Sequence, residues 1–192
     1  MHPPQRFVTL PGSTFSSAGS ADSQGPLQMS YRELGAGQPV LLLHGWPTSS
    51  FLWRDVMPHL AAQGLRPIAL DLPGFGHTPP PPGQRLGFST YDRAIEAFVH
   101  ALGLDGAPLG LVVHDAGGPI GLHWASQHPH RVSRLAILNT LIYPEVSWAV
   151  VAFVAATRAP LISGLIARPS AIRLALRFGV HKRKVPPEVL DE

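Results

Sequence analysis

Four short, largely apolar runs recur along this chain, at residues 40–43, 66–70, 109–114 and 135–138, and each breaks off in a turn. A run of four to six such residues without alternation suits a strand covered on both faces. Stretches of helical character lie between them. Ser49 or Ser50 is placed to cap a helix over residues 51–63, with Gly64 as its stop and Pro58 expected to end or kink it. Ser89 is expected to cap a second helix, where Ala94, Phe98, Ala101 and Leu102 recur at helical spacing. A third runs from about Pro119 to Gln127. Strands alternating with helices in this way imply βαβ units. The fold class is therefore α/β, a mostly parallel sheet flanked by helices, with residues 29–34 towards its edge. Residues 12–26 read as a polar, Gly- and Ser-rich loop between two short strand candidates.

Composition excludes several classes of function. Of the 192 residues 45% are hydrophobic, enough for a core and too many for a disordered chain. The absence of cysteine excludes a disulfide framework, a thiolate metal site and a cysteine nucleophile. No metal and no other cofactor is expected. The net charge is only +3 and the basic residues form no stripe, so no nucleic-acid partner is expected. The basic run His181-Lys182-Arg183-Lys184 reads as a solvated helix end. Residues 1–7 lack the apolar segment of a secretion signal. Residues 146–157 are apolar but shorter than the ~20 needed to span a membrane. A cytoplasmic location is expected.

In a parallel α/β sheet, chemistry gathers where the strands end. The strongest signal there is Val112-Val113-His114-Asp115-Ala116-Gly117-Gly118, a strand turning abruptly into a helix with an acid at the apex. Two glycines just after the apex, behind Ala116, let helix and strand pack closely around it. The helix N-terminus favours an ionised carboxylate at that point. Taken alone, the turn is equally compatible with Asp115 as a helix N-cap. A second motif, His44-Gly45-Trp46-Pro47, closes the neighbouring strand. A backbone N–H there, with that of Ala116, would give two donors facing one point, an oxyanion hole. The tight turn before Pro47 also permits a cis Trp46–Pro47 bond.

These two motifs, with Asp71-Leu72-Pro73-Gly74-Phe75-Gly76 between them, stand in the order and spacing of the α/β-hydrolase family. More narrowly, the chain resembles the branch of haloalkane dehalogenases and epoxide hydrolases, whose elbow carries Asp preceded by His and followed by Gly-Gly. His44-Gly45-Trp46-Pro47-Thr48-Ser49-Ser50-Phe51-Leu52-Trp53-Arg54 and Leu138-Asn139-Thr140 resemble that branch too. The resemblance extends over about residues 27–145 and then thins into what would be a helical cap. It implies residues 1–142 as the N-terminal part of a hydrolase core and 143–192 as a partial cap.

The resemblance implies Asp115 as the nucleophile. A carboxylate is ionised at neutral pH and attacks an sp³ carbon without a base, leaving an ester that activated water must hydrolyse. Trp46 and Ala116 would supply the oxyanion-hole amides. Trp46, Tyr143 and Trp148 are candidates for substrate or leaving-group binding. The expected partners are a small apolar electrophile and water. This branch usually has a Trp directly after the nucleophile and an Asn or similar group before the proline; here stand Ala116 and Trp46. Tyr143 is the only tyrosine after the elbow, where epoxide hydrolases use cap tyrosines. The substrate class thus stays open between haloalkane and epoxide.

The remaining polar residues have plainer readings. His44 is expected to order its loop by hydrogen bonding and Asp71 to brace one. His114 should point away from the apex, because neighbours on a strand alternate. Trp53, Trp124 and Trp148 suit packing. The histidine and supporting acid that the resemblance implies are not found, so the chain is expected to be the N-terminal two-thirds of a hydrolase, without the C-terminal strands. The alternative is a non-catalytic remnant that associates through an exposed apolar cap surface at residues 146–167.

Overall fold

Three of the four apolar runs become the middle of one mixed sheet, and the fourth lies in the last strand of the described order. A computed structural model describes residues 2–15 and 25–140, with Val151, Ala152, Ala155, Arg168 and Ser170 beyond them. The chain divides into two units, Met1–Ile142 and Tyr143–Glu192, and every strand described lies in the first. The strands are β1 (Gln5–Leu10), β2 (Leu27–Glu33), β3 (Gln38–Leu43), β4 (Leu65–Leu70), β5 (Leu109–His114) and β6 (Val132–Leu138). Their order across the sheet is β1-β2-β4-β3-β5-β6. β1 and β2 pair antiparallel, as do β2 and β4; β4, β3, β5 and β6 run parallel. The strand expected over residues 29–34 thus sits towards one edge, inside β1.

Both faces of the central strands are covered, which is why their sequences show no polar alternation. Leu41, Leu43, Ile68, Leu70, Leu111 and Val113 share one core with α2 (Phe88–Ala101) and α3 (Gly117–Gln127), whose Ile95, Phe98 and Trp124 are buried against them. Val40, Leu42 and Ala69 point the other way, onto Trp53 and onto Met57 of α1 (Met57–Ala62). Alternate residues of one strand therefore feed two cores.

Three local expectations are corrected. The helix expected over residues 51–63 is split into a 3-10 turn, Ser50–Trp53, and α1. Pro58 ends nothing: it stands in the first turn of α1, where a missing N–H leaves no helical bond unmade. Ser49 does cap the 3-10 turn, accepting from Phe51 N at 3.3 Å, and Gly64 closes α1 at φ +74°. Ser89 is not the cap of α2, which starts one residue before it behind Gly87. Thr90 is tied instead to Arg85 O at 2.7 Å, so the helix entry is set by a loop bond. Finally, β6 begins at Val132, and residues 135–138 are not buried: Leu135, Ile137 and Leu138 are 44%, 42% and 44% exposed. Among the described residues β6 has a neighbour on one side only, so its apolar side chains lack the cover that β3 and β5 enjoy.

Of the loop read at residues 12–26, residues 12–15 form a 3-10 turn and 16–24 lie outside the described residues. Tyr143, Trp148 and residues 181–184 also lie outside them, as does most of the apolar stretch at 146–167. No helix among the described residues is long and apolar enough to cross a membrane.

Candidate active site

Register brings the site together. Leu43 lies opposite Leu70 on one side and Val113 on the other, so the turns after β3, β4 and β5 leave the sheet side by side. Only Asp115 and Ala116 separate β5 from α3. So short a reversal needs one residue in the left-handed region, and Asp115 takes it at φ +49°. Asp and Asn tolerate that region better than other residues with a side chain. The Asp115 carbonyl accepts from Gly118 N at 2.9 Å and from the Thr140 hydroxyl.

The Asp115 side chain does not cap the helix. The residue in the cap position of α3 is Ala116, which makes no side-chain cap bond. The carboxylate crosses instead to the neighbouring loop, where Oδ1 accepts from Trp46 N at 2.8 Å. Gly45 makes this approach feasible: a Cβ there would stand 2.3 Å from Asp115 Oδ1 and 2.7 Å from Ala116 N. The Trp46–Pro47 peptide is cis. Thr48 closes the turn, its N and its Oγ1 both donating to Gly45 O, at 2.9 and 2.8 Å.

His44 and Asp71 brace this arrangement. His44 is fully buried; Leu72 N donates to its Nε2 at 3.1 Å, so Nδ1 carries the proton and donates to Gly45 O at 3.0 Å. Asp71 accepts from Ser50 N at 2.6 Å through Oδ1 and from His77 N at 3.0 Å through Oδ2. One buried carboxylate thereby ties the segment after β3 to the loop after β4. His114 turns to Trp53, their rings edge-on at 6.4 Å, and His114 Nδ1 and Trp53 Nε1 are buried without a hydrogen-bond partner. His44 therefore uses both ring nitrogens on the backbone, and neither it nor His114 bonds the Asp115 carboxylate.

Burial pushes the His44 pKa below the ordinary value near 6.5, against smaller opposing effects from the Gly45 bond and the Asp71 charge. The unfolded chain then takes up a proton before the folded one does. The stability that neutral His44 contributes is complete above about pH 6.5 and is lost as pH falls through the folded pKa. The urea midpoint is expected to drop between about pH 7 and pH 5, with the His44 ring, followed by NMR, titrating below its unfolded value. A His44 ring already charged at pH 6.5 in the folded chain would contradict this assignment.

Of the candidate site residues, Trp46, Asp115 and Ala116 thus meet at the ends of β3 and β5, while Tyr143 and Trp148 lie outside the described residues. Sequence reasoning missed Thr140 as a partner of the Asp115 carbonyl; a single threonine after a strand carries no signal of a contact 25 residues away. Among the described residues no group of three or more His, Asp or Glu is placed to hold a metal ion.

Comparison with known proteins places the fold in a family. A haloalkane dehalogenase of Sphingobium indicum is 40% identical over 125 residues, 64% of this chain and 41% of its own length. One from Psychrobacter cryohalolentis is 38% identical over 148 residues, 73% of this chain and 48% of that one. Among solved structures, the haloalkane dehalogenase DatA from Agrobacterium tumefaciens superimposes with a TM-score of 0.74 at 28% identity, over 97% of this chain and 60% of DatA. The chain thus spans about two-fifths to three-fifths of the length of these relatives. The sheet order, the turn at Asp115 and a match to the family model over residues 38–160 lead to one conclusion: the chain belongs to the alpha/beta hydrolase fold family.

Proposed function

We propose that this chain carries the nucleophilic part of a hydrolase acting on a small apolar haloalkane or epoxide through an ester on Asp115. One observation carries the reading: Asp115 sits at a left-handed apex with its carboxylate received by Trp46 N–H instead of capping α3. Oδ1 is the oxygen held, so Oδ2 is the one offered to substrate. Attack forms an ester C–O bond while the carbon–halogen bond breaks and its electron pair leaves as halide. With an epoxide the ring C–O bond breaks, and the alkoxide takes up a proton. Water then adds to the ester carbonyl, whose oxygen gains negative charge between the amides of Trp46 and Ala116. Collapse releases the alcohol and restores the carboxylate. Trp46, Tyr143 and Trp148 are proposed to receive the leaving group or the apolar body of the substrate.

The first step needs no base and the second does. Losing a general base costs about 10²–10⁴-fold in the step it serves. His44 holds both ring nitrogens on the backbone and His114 faces Trp53, so neither is poised as that base, and on this reading the 192-residue chain is expected to accumulate the ester instead of turning over. Incubation with a reactive primary bromoalkane, and separately with a terminal epoxide, followed by intact-mass spectrometry, should show one added alkyl group located on Asp115. The reagent that adds faster identifies the substrate class. Absence of an adduct with both, or adducts scattered over other carboxylates, would overturn the reading. It would favour the second one, a non-catalytic chain that self-associates, to which the exposed Leu135, Ile137 and Leu138 of β6 give support.

A further inference from the structure

We propose that Thr140 is a positioning residue, which aims and polarises the Ala116 N–H by hydrogen bonding to the carbonyl of the same peptide group. The proposal rests on the reading of Ala116 as a donor to the ester oxygen. The Thr140 hydroxyl donates to Asp115 O, joined there by Gly118 N at 2.9 Å. Asp115 O and Ala116 N belong to one planar peptide, and the cis bond at Trp46–Pro47 is elsewhere, so this peptide is trans. In a trans peptide the N–H points opposite to the C=O. Anchoring the carbonyl from the β6 side therefore turns the Ala116 N–H the other way, towards the Gly45 turn, where a Cβ on Gly45 would meet Ala116 N at 2.7 Å. The same two bonds withdraw electron density from the amide and make its N–H a stronger donor.

Two further features show that room is kept for this contact. A Cβ on Gly118 would fall 1.8 Å from Thr140 Oγ1, so glycine at that place leaves the space that the hydroxyl occupies. Asn139, directly before Thr140, adopts φ +39°, a left-handed turn that re-aims the chain as it leaves β6. Without the hydroxyl, the apex carbonyl keeps only the bond from Gly118, which lies on the helix side, and the peptide gains freedom to rotate about the strained Asp115.

The test compares Thr140→Val, which keeps the shape and loses the donor, with Thr140→Ser, which keeps the donor, in the full 192-residue chain. The first readout is the Ala116 amide proton by NMR, which does not depend on reactivity. It should move upfield in Thr140→Val and stay near its original position in Thr140→Ser. The second uses the chain alkylated on Asp115 by a bromoalkane, and follows ester loss at alkaline pH, where hydroxide replaces the base. Loss should slow about tenfold in Thr140→Val, less than the roughly 10²–10³-fold of a deleted donor, and recover in Thr140→Ser. Ester formation should change by no more than about twofold, since it develops no charge at that amide. An Ala116 proton unmoved in Thr140→Val would overturn the proposal, as would a moved proton with unchanged ester loss. A moved proton in a chain that takes no alkyl group would sustain the anchoring and sink the nucleophile reading instead. Should Thr140→Val fail to fold, Thr140→Ala removes the hydroxyl without filling the space and is read in the same way.

Discussion

Asp115→Asn is expected to abolish alkylation of the chain, by about 10⁴–10⁶-fold in rate, while leaving the fold intact. The size of the effect follows from the chemistry: a neutral amide oxygen is a far weaker nucleophile than a carboxylate at neutral pH. The intact fold follows from the geometry. Asn tolerates the left-handed backbone as well as Asp does, and its Oδ1 can still accept from Trp46 N. Asp115→Ala should be equally inactive but less stable, by about 1–2 kcal/mol, because alanine gains nothing local in that region of backbone. Intact-mass kinetics and urea unfolding of both variants separate the two effects. An Asp115→Asn chain that still gains one alkyl group would show that another side chain is the nucleophile.

The second large effect is structural. Gly117→Ala is expected to cost about 3 kcal/mol or more, a sizeable part of the 5–15 kcal/mol typical of a folded domain. A Cβ at Gly117 would stand 2.3 Å from His44 O and 2.7 Å from Leu43 O. Both atoms are backbone at the end of β3, so no side chain can swing aside, and the strand end itself must move. That strand end carries the Trp46 amide that receives Asp115. Alanine is otherwise favoured over glycine in a helix by about 1 kcal/mol, so a net destabilisation here is a lower bound on the cost of the clash. Gly106→Ala is the control, with nothing within 4 Å of the added carbon, and should stay within about 0.5 kcal/mol of the parent. A Gly117→Ala chain with an unchanged urea midpoint would mean that α3 does not pack as closely on β3 as its contacts indicate.

What could be read from the amino-acid order was whatever rests on neighbours in the chain. The unalternating runs of β3, β4 and β5 report burial on two faces, and burial on two faces by short strands joined through helices leaves a parallel sheet as the economical solution. The turn at Asp115 was legible for a similar reason, since an acid at the end of a strand, followed after one residue by two glycines that open a helix, describes a sharp reversal within five residues. The points where local reading failed are those where a distant group decides. Pro58 fits either end of a helix by propensity, and Ser89 is as good a cap as Gly87 until the loop bond from Thr90 to Arg85 is made. Residues 135–138 have the composition of a central strand, but burial depends on having neighbours on both sides, and among the described residues β6 has one on one side only.

The candidate site divides along the same line. Chain order alone places particular residues at the ends of the strands: His44 to Trp46 after β3, Asp71 after β4, Asp115 and Ala116 after β5. It left open whether Asp115 caps its own helix, because a side chain that can bond the next turn and one that bonds another loop look alike in one dimension. Strand pairing resolves it, through the register that sets Leu43 against Val113 and brings Trp46 N to Asp115 Oδ1 across 69 residues of chain. The same packing fixed the neutral tautomer of His44 between Leu72 and Gly45, and set the Thr140 hydroxyl on the Asp115 carbonyl. Hydrogen bonds of this kind are short-ranged and directional, so they are specified only when the strands have been placed beside one another.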